Sequence, residues 1–132
     1  MKDLIYTGVF LGTVIPGTLE RQITCQHVTH MFRPKPERVN PAFFGKLVFI
    51  KVIGYANDGD NQGYLVSLET SDEDLKKELD AIKVPHITIS VSKNGKPVNT
   101  GKLNFTPIDG ELLVGTYGGY YSDGMVYTRA EA

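Results

Sequence analysis

Two of the three histidines in this 132-residue chain sit in the same local setting, His27-Val28-Thr29 and His86-Ile87-Thr88. In an extended strand successive side chains point to opposite faces. Within Pro85-His86-Ile87-Thr88-Ile89-Ser90-Val91 the apolar Ile87, Ile89 and Val91 therefore share one face, and His86, Thr88 and Ser90 share the other. The same alternation puts His27 with Thr29, both directed outward. Two such strands facing each other across a cleft would present two imidazoles and two hydroxyls to whatever lies between them. That set suits a phosphodiester. Its hydrolysis or internal transfer needs a base to activate the attacking oxygen and an acid to protonate the leaving one, and histidine does either near neutral pH. Threonine hydroxyls donate to the non-bridging oxygens, where charge builds in the transition state. The scheme needs no metal and no cofactor.

These residues resemble the 2H phosphoesterase superfamily, named for two His-x-Thr/Ser motifs on related strands of a two-lobed fold. The resemblance runs through Tyr6-Thr7-Gly8-Val9-Phe10-Leu11, His27-Val28-Thr29, Pro85-His86-Ile87-Thr88-Ile89-Ser90 and Gly95-Lys96-Pro97-Val98. It is nearest to the small RNA-repair-like branch, in which a Pro-His-Ile-Thr run is followed by a Lys-Pro-Val turn. A single His-x-Thr carries little information; the pair with apolar alternation and the Pro-Val turn carries more. The two motifs are 59 positions apart, short for the superfamily. Members that resemble this architecture open 2',3'-cyclic phosphates at RNA ends, and some phage members degrade cyclic oligonucleotide signals of bacterial immunity.

Composition bounds the alternatives. The length fits a single domain spanning 1–132, with lobe one at about 1–40 plus the C-terminal strands and lobe two at about 41–100. An apolar fraction of 41% and a charged fraction of 22% are those of a soluble globular protein. A net charge of −1 lacks the positive field of a protein that tracks a long nucleic-acid backbone, so a small nucleotide or an RNA end fits better than duplex DNA. The single cysteine, Cys25, allows no internal disulfide and agrees with a reducing compartment. No stretch approaches a membrane span, and Met1-Lys2-Asp3 leads into a strand-like run instead of a signal peptide. The expected setting is cytoplasmic, that of a bacterial or phage-infected cell under the phage-type reading. Oligomeric state has no signature in the sequence.

The periodicities that must position the motifs are mostly strand-like. Leu4 to Leu11 reads as a strand in which Gly8 allows close approach of another backbone or a ligand. Pro16 to Ile23 is expected to form a short helix, with Leu19 and Ile23 four apart on one face. Cys25 to Phe32 is the first motif strand, ended by Pro34 and Pro36. Arg33 to Pro41 is a loop. Phe44 to Tyr55 reads as a long strand, and a polar turn over 56–63 returns it into Tyr64 to Leu68. Then the period changes: Ser71 caps a helix whose Leu75, Leu79 and Ile82 form its apolar stripe. After Val91 a polar connection leads to Phe105, Glu111 to Tyr121 reads as a strand, and Ser122-Asp123-Gly124 turns it back into Met125 to Thr128. The expected fold class is α+β and two-lobed, with mainly antiparallel sheets, one clear helix and one short helix.

Other chemistry-bearing residues weigh less. His27 and His30 fall on opposite faces of one strand, so they do not chelate a metal as an i, i+4 helical pair would, and His30 reads as structural or surface. Cys25 shares the face of His27 but shows no sign of a lowered pKa, so it reads as buried and inert. Ser90 reads as a residue at the cleft edge or in solvent. The acidic run from Asp72 to Asp80 is the start and solvent face of a helix and not a metal site. Tyr6, Tyr120 and Tyr121 are candidates to stack on a nucleobase, and Lys96 to reach a phosphate. The expected activity is a metal-independent phosphodiesterase in which His27 and His86 divide the acid and base roles while Thr29 and Thr88 hold the phosphate. The alternative is an inactive module of the same fold that sequesters a nucleotide or RNA end.

Overall fold

Alternation of apolar and polar side chains over short runs, punctuated by glycine and proline, makes most of this chain strand. The computed structural model describes residues 2–129. In chain order these form β1 (Leu4–Leu11), β2 (Arg21–Gln22), β3 (His27–Phe32), β4 (Leu47–Asn57), β5 (Asn61–Glu69), α1 (Glu73–Asp80), β6 (His86–Val91), β7 (Thr106–Pro107), β8 (Leu112–Tyr121) and β9 (Val126–Tyr127). Short 3₁₀ segments occupy Pro36–Arg38, Pro41–Phe43 and Pro97–Lys102. The class is α+β with antiparallel strand pairing throughout the described residues.

The strands join in one path, β2-β6-β5-β4-β8-β1-β3, with β7 added to β4 and β9 to β8. The first 40 residues thus contribute to both ends of the sheet, β1 and β3 at one and β2 at the other. The sheet curls until these ends meet, and β3 packs beside β6 although the two are not ladder neighbours. Inside the curl lies one core. It combines Val9, Val28, Val48, Ile50, Val66, Ile87 and Tyr117 from the strands with Leu75 and Leu79 from α1. On β4 the alternation is strict: Val48, Ile50 and Val52 are buried while Leu47 and Phe49 are exposed. Asp72, and not Ser71, caps α1 by accepting from the Leu75 amide at 2.9 Å, and Glu73 and Asp74 lie in the favourable first turn. The helix stops at Asp80, with Ile82 packed against the core just beyond it.

Two expectations fail for the same reason. Pro16 to Ile23 is not a helix but an extended strap ending in β2, which pairs with β6. Its amides are claimed from elsewhere: Thr18 N donates to Gln62 Oε1 at 2.9 Å and Leu19 N to Ser90 Oγ at 3.2 Å. Arg21 then ties the strap down by donating to the carbonyls of Ser92 and Gly95 at 2.9 and 2.6 Å. An i, i+4 apolar pair is worth only a few tenths of a kcal/mol, roughly, and cannot compete with these bonds. Beneath the strap Ser90 is fully buried, not at the cleft edge, and donates to Gln62 Oε1 at 2.6 Å. Of the three short 3₁₀ pieces the longest lies in the connection after β6, at Pro97–Lys102.

Gly8 is where close approach is needed. A Cβ there would stand 2.3 Å from the carbonyl oxygen of Val28 on β3. Backbone must shift to admit a methyl group, so Gly8→Ala should destabilise the fold by about 1–3 kcal/mol. Urea unfolding would read this as a lowered midpoint with an unchanged slope. Gly12→Ala, where the added Cβ meets no atom within 4 Å, is the control.

Candidate functional site

Burial of Val28 and Ile87 in the same core turns the alternate side chains of β3 and β6 to the other face of the sheet. Because β3 and β6 pack side by side, both motifs arrive on one surface. The charge of His86 is felt at His27. The four residues His27, Thr29, His86 and Thr88 are all partly exposed.

Both imidazoles are held alike. His27 Nδ1 lies 3.0 Å from the carbonyl oxygen of Cys25, and His86 Nδ1 lies 2.7 Å from that of Val84. Each carbonyl is two residues upstream. A carbonyl only accepts, so in both rings Nδ1 carries the proton and the neutral ring keeps its lone pair on Nε2. The Thr29 hydroxyl donates to His27 Nε2 at 3.1 Å. The Thr88 hydroxyl instead donates to Thr100 Oγ1 at 2.9 Å, with the carbonyl of Pro97 at 3.3 Å. Thr100 is fully buried and also accepts from Asn61 Nδ2 at 2.9 Å.

The surroundings of the two histidines differ. On the β3 side Tyr6 stacks on His27 with ring centres 4.5 Å apart, and Phe10 stands at 5.5 Å. Tyr120 stacks on Tyr6 at 5.1 Å. Since β1 lies between β8 and β3, Tyr6 is held between Tyr120 and His27 and serves as a wall, leaving Tyr120 as the outer ring. His27 is consequently less open than the strand pattern suggests. This burial pushes its pKa below the ordinary histidine value; the Cys25 carbonyl opposes that shift, and the His86 charge adds to it. On the β6 side the neighbour is backbone: a Cβ at Gly101 would stand 2.9 Å from His86 Cε1, so the segment Pro97–Lys102 lies directly on the ring.

The remaining sequence candidates scatter. Tyr121 points to the opposite face of β8 from Tyr120 and meets Tyr127 edge-on at 5.3 Å, away from the histidines. Lys96 has an exposed side chain just before Pro97–Lys102, and its carbonyl accepts from Asn61 Nδ2 at 2.7 Å. Cys25 is half-buried, and burial raises its thiol pKa despite an opposing hydrogen bond from Tyr6, so it lacks the character of a nucleophile. His30 belongs to the core side. Its Nδ1 bonds Tyr117 Oη at 2.5 Å and its Nε2 lies 3.3 Å from Glu78 Oε1. Burial pushes the Tyr117 hydroxyl up to about 12. Among the described residues no group of three His, Cys, Asp or Glu is placed to hold a metal ion.

Sequence reasoning missed Asn61, Thr100 and Gly101, all of which support the second motif. Asn61 reads as one more polar turn residue, and Thr100-Gly101 as part of a polar connection. A buried threonine is announced by no periodicity in a segment that folds as a 3₁₀ turn. The chain matches no protein-family model, no curated protein and no solved structure.

The depressed pKa of His27 makes a pH prediction. In the unfolded chain His27 takes up a proton near the ordinary value of about 6.5, whereas in the fold it does so only at lower pH. The unfolded state then binds more protons between the two values, so stability is full above about pH 6.5 and falls as pH is lowered toward the folded value. His30, also shifted down by burial and partly restored by Glu78, adds to the same slope. Denaturant midpoints measured from about pH 7.5 to 5.5 should decline, and His27→Gln should flatten part of that decline. Histidine NMR titration should place the His27 midpoint below that of a free imidazole.

Proposed function

We propose that the protein is a metal-independent phosphodiesterase acting on a cyclic phosphate or a ribonucleotide phosphodiester, through the two-histidine chemistry of the 2H phosphoesterases that its motifs resemble. The observation that carries this reading is the matched pair: two His-x-Thr strands side by side, each imidazole pinned through Nδ1 to the carbonyl two residues upstream. Pinning at Nδ1 reserves both Nε2 atoms for proton transfer.

A division of labour follows from the surroundings. His27, kept neutral by burial, has its Nε2 lone pair directed at the Thr29 hydroxyl and suits the base. It would take the proton from water or a ribose hydroxyl as that oxygen bonds to phosphorus. His86, carrying a proton on Nε2 as well as Nδ1, would give it to the oxygen that leaves. With a 2',3'-cyclic phosphate the ring P–O bond breaks and the product is a phosphomonoester. With substrate bound, Thr29 would turn its hydroxyl from His27 Nε2, and Thr88 from Thr100, to donate to the non-bridging oxygens. Asn61 and Thr100 hold Thr88 in position. The RNA-end and cyclic-oligonucleotide forms of this substrate class share this chemistry and differ in how many nucleotides the surface must accept.

The test is hydrolysis of a panel, with EDTA present: 2',3'-cyclic mononucleotides, an RNA ending in a cyclic phosphate, and cyclic di- and trinucleotides. Turnover of at least one member is expected. His27→Ala and His86→Ala should each lower it by roughly 10²–10⁴-fold, the usual size of a general acid or base contribution. The rate should fall on the acid side as His27 becomes protonated. Binding without turnover would move the protein to the sequestering module, and loss of folding in either alanine variant would make that histidine structural.

A further inference from the structure

One irregularity in β3 changes which residues share the histidine face. Strict alternation from His27 would put Thr29 and Met31 on that face and Phe32 on the other. The register shows otherwise: Gly8 pairs with Thr29, Thr7 with Met31 and Tyr6 with Phe32, with a shift between Thr7 and Gly8. His30 is the extra residue of a β-bulge. Directly paired residues on antiparallel strands point to the same side, so Phe32 lies on the face of Tyr6, and hence of His27 and Thr29. The bulge has re-aimed it there. Tyr6 itself leans over Gly8 toward Phe10, with ring centres 5.9 Å apart, and Phe32 remains 67% exposed.

A second feature holds a cation on this ring. Arg33 is the only described non-glycine residue with positive φ, at 44°. A strained backbone of this kind persists only where its surroundings enforce it, and such outliers gather at binding sites. Here the Arg33 amide donates to the Ile5 carbonyl at 2.7 Å, and Pro34 follows. The guanidinium carbon stands 5.4 Å from the centre of the Phe32 ring. Beside it opens a cavity of about 530 Å³ lined by Met31, Phe32, Pro34, Lys35, Glu37 and Arg38. In a chain of net charge −1, the six residues from Arg33 to Arg38 hold three cations and one anion.

We propose that Phe32 and Arg33 form a second-nucleotide subsite: a nucleobase stacks on the exposed Phe32–Arg33 pair, and Lys35 faces the adjoining phosphate, while Arg38 across the cavity is engaged with Glu78 at 3.9 Å. Flat aromatic and guanidinium surfaces bind bases by stacking regardless of sequence. The inference rests on the phosphodiesterase reading for the location of the reacting phosphate and narrows its substrate class. The preferred ligand carries at least two nucleotides, one phosphate at the histidines and one base on Phe32.

Binding and turnover test this separately. Calorimetry on the double variant His27→Ala/His86→Ala would compare a 2',3'-cyclic mononucleotide, a linear dinucleotide with the same cyclic end, and a cyclic dinucleotide. At least one two-base ligand should bind about tenfold more tightly than the mononucleotide, the size of one base–aromatic stack. Adding Phe32→Ala should bring that ratio close to one, and Phe32→Tyr should keep it. Arg33→Gly, which accommodates the positive φ and so protects folding, should reduce the ratio in part. Preference for the linear or the cyclic ligand identifies the source of the second base. Equal binding of one- and two-base ligands, or a ratio unmoved by Phe32→Ala, overturns the subsite. If the ratio behaves as expected but the wild type hydrolyses no ligand, the subsite stands and the phosphodiesterase reading falls. No binding of any ligand overturns the subsite, and only if the wild type also turns over no ligand does the phosphodiesterase reading fall with it.

Discussion

Burial of Val28 and Ile87 in one core is the constraint on which the site depends. Each is flanked by a histidine and a threonine, so once the apolar residue faces inward the period of two leaves its neighbours no choice of face. Packing those two positions together also brings β3 and β6 together, though they stand near opposite ends of the sheet path. The juxtaposition of the motifs is thus a consequence of core packing and requires no direct attraction between two imidazoles, which would repel each other when charged. A one-residue slip of either strand would bury a histidine and expose a valine or isoleucine, and the core resists it.

The two halves of the site use different materials to hold equivalent rings. Around His27 the neighbours are aromatic, with Tyr6 stacked on it and Phe10 and Tyr120 behind, and the effect is desolvation, which favours the neutral imidazole. Around His86 the neighbour is the backbone at Gly101, and the polar support runs through Thr88, Thr100 and Asn61. A pair of chemically identical side chains becomes inequivalent through these surroundings, which is what the proposed division into an acid and a base requires.

Much of the architecture was legible in the sequence, because long alternating runs and one change of period are strong signals. The boundaries of β1, the end of β3 at Phe32, the long β4 and the register of apolar residues in α1 follow from residue type. So do His27 with Thr29 and His86 with Thr88 as pairs on one face. What could not be read were features set by tertiary hydrogen bonds. The strap from Pro16 to Gln22 has a weak helical pattern but lies extended because Gln62, Ser90 and the Ser92 carbonyl bind it. Ser90 alternates correctly with Thr88 yet is covered by that strap, a layer that no local pattern announces. Phe32 is the sharpest case: counting from His27 puts it on the wrong face, and only the bulge at His30, where His30 reaches Tyr117 and Glu78, corrects the count.

The seam between β3 and β6 explains why the site can exist there at all. Neighbouring strands normally consume each other's backbone groups, and a complete ladder between β3 and β6 would seal the sheet into a closed wall. Instead the strands pack without that ladder, and the carbonyls of Cys25 and Val84 lie just ahead of them, outside the regular pairing. A backbone carbonyl left unpaired in a partly buried position, as that of Cys25 would be, is costly, whereas that of Val84 lies exposed. Each is satisfied by the Nδ1 proton of the histidine two residues on. The same two bonds fix the tautomer of both rings and leave Nε2 of each as the atom the proposed proton transfers would use, with the Thr29 hydroxyl donating to it on His27. Under the proposed function these two bonds would serve structure and chemistry together, and removing either histidine takes away the side-chain donor its carbonyl accepts from.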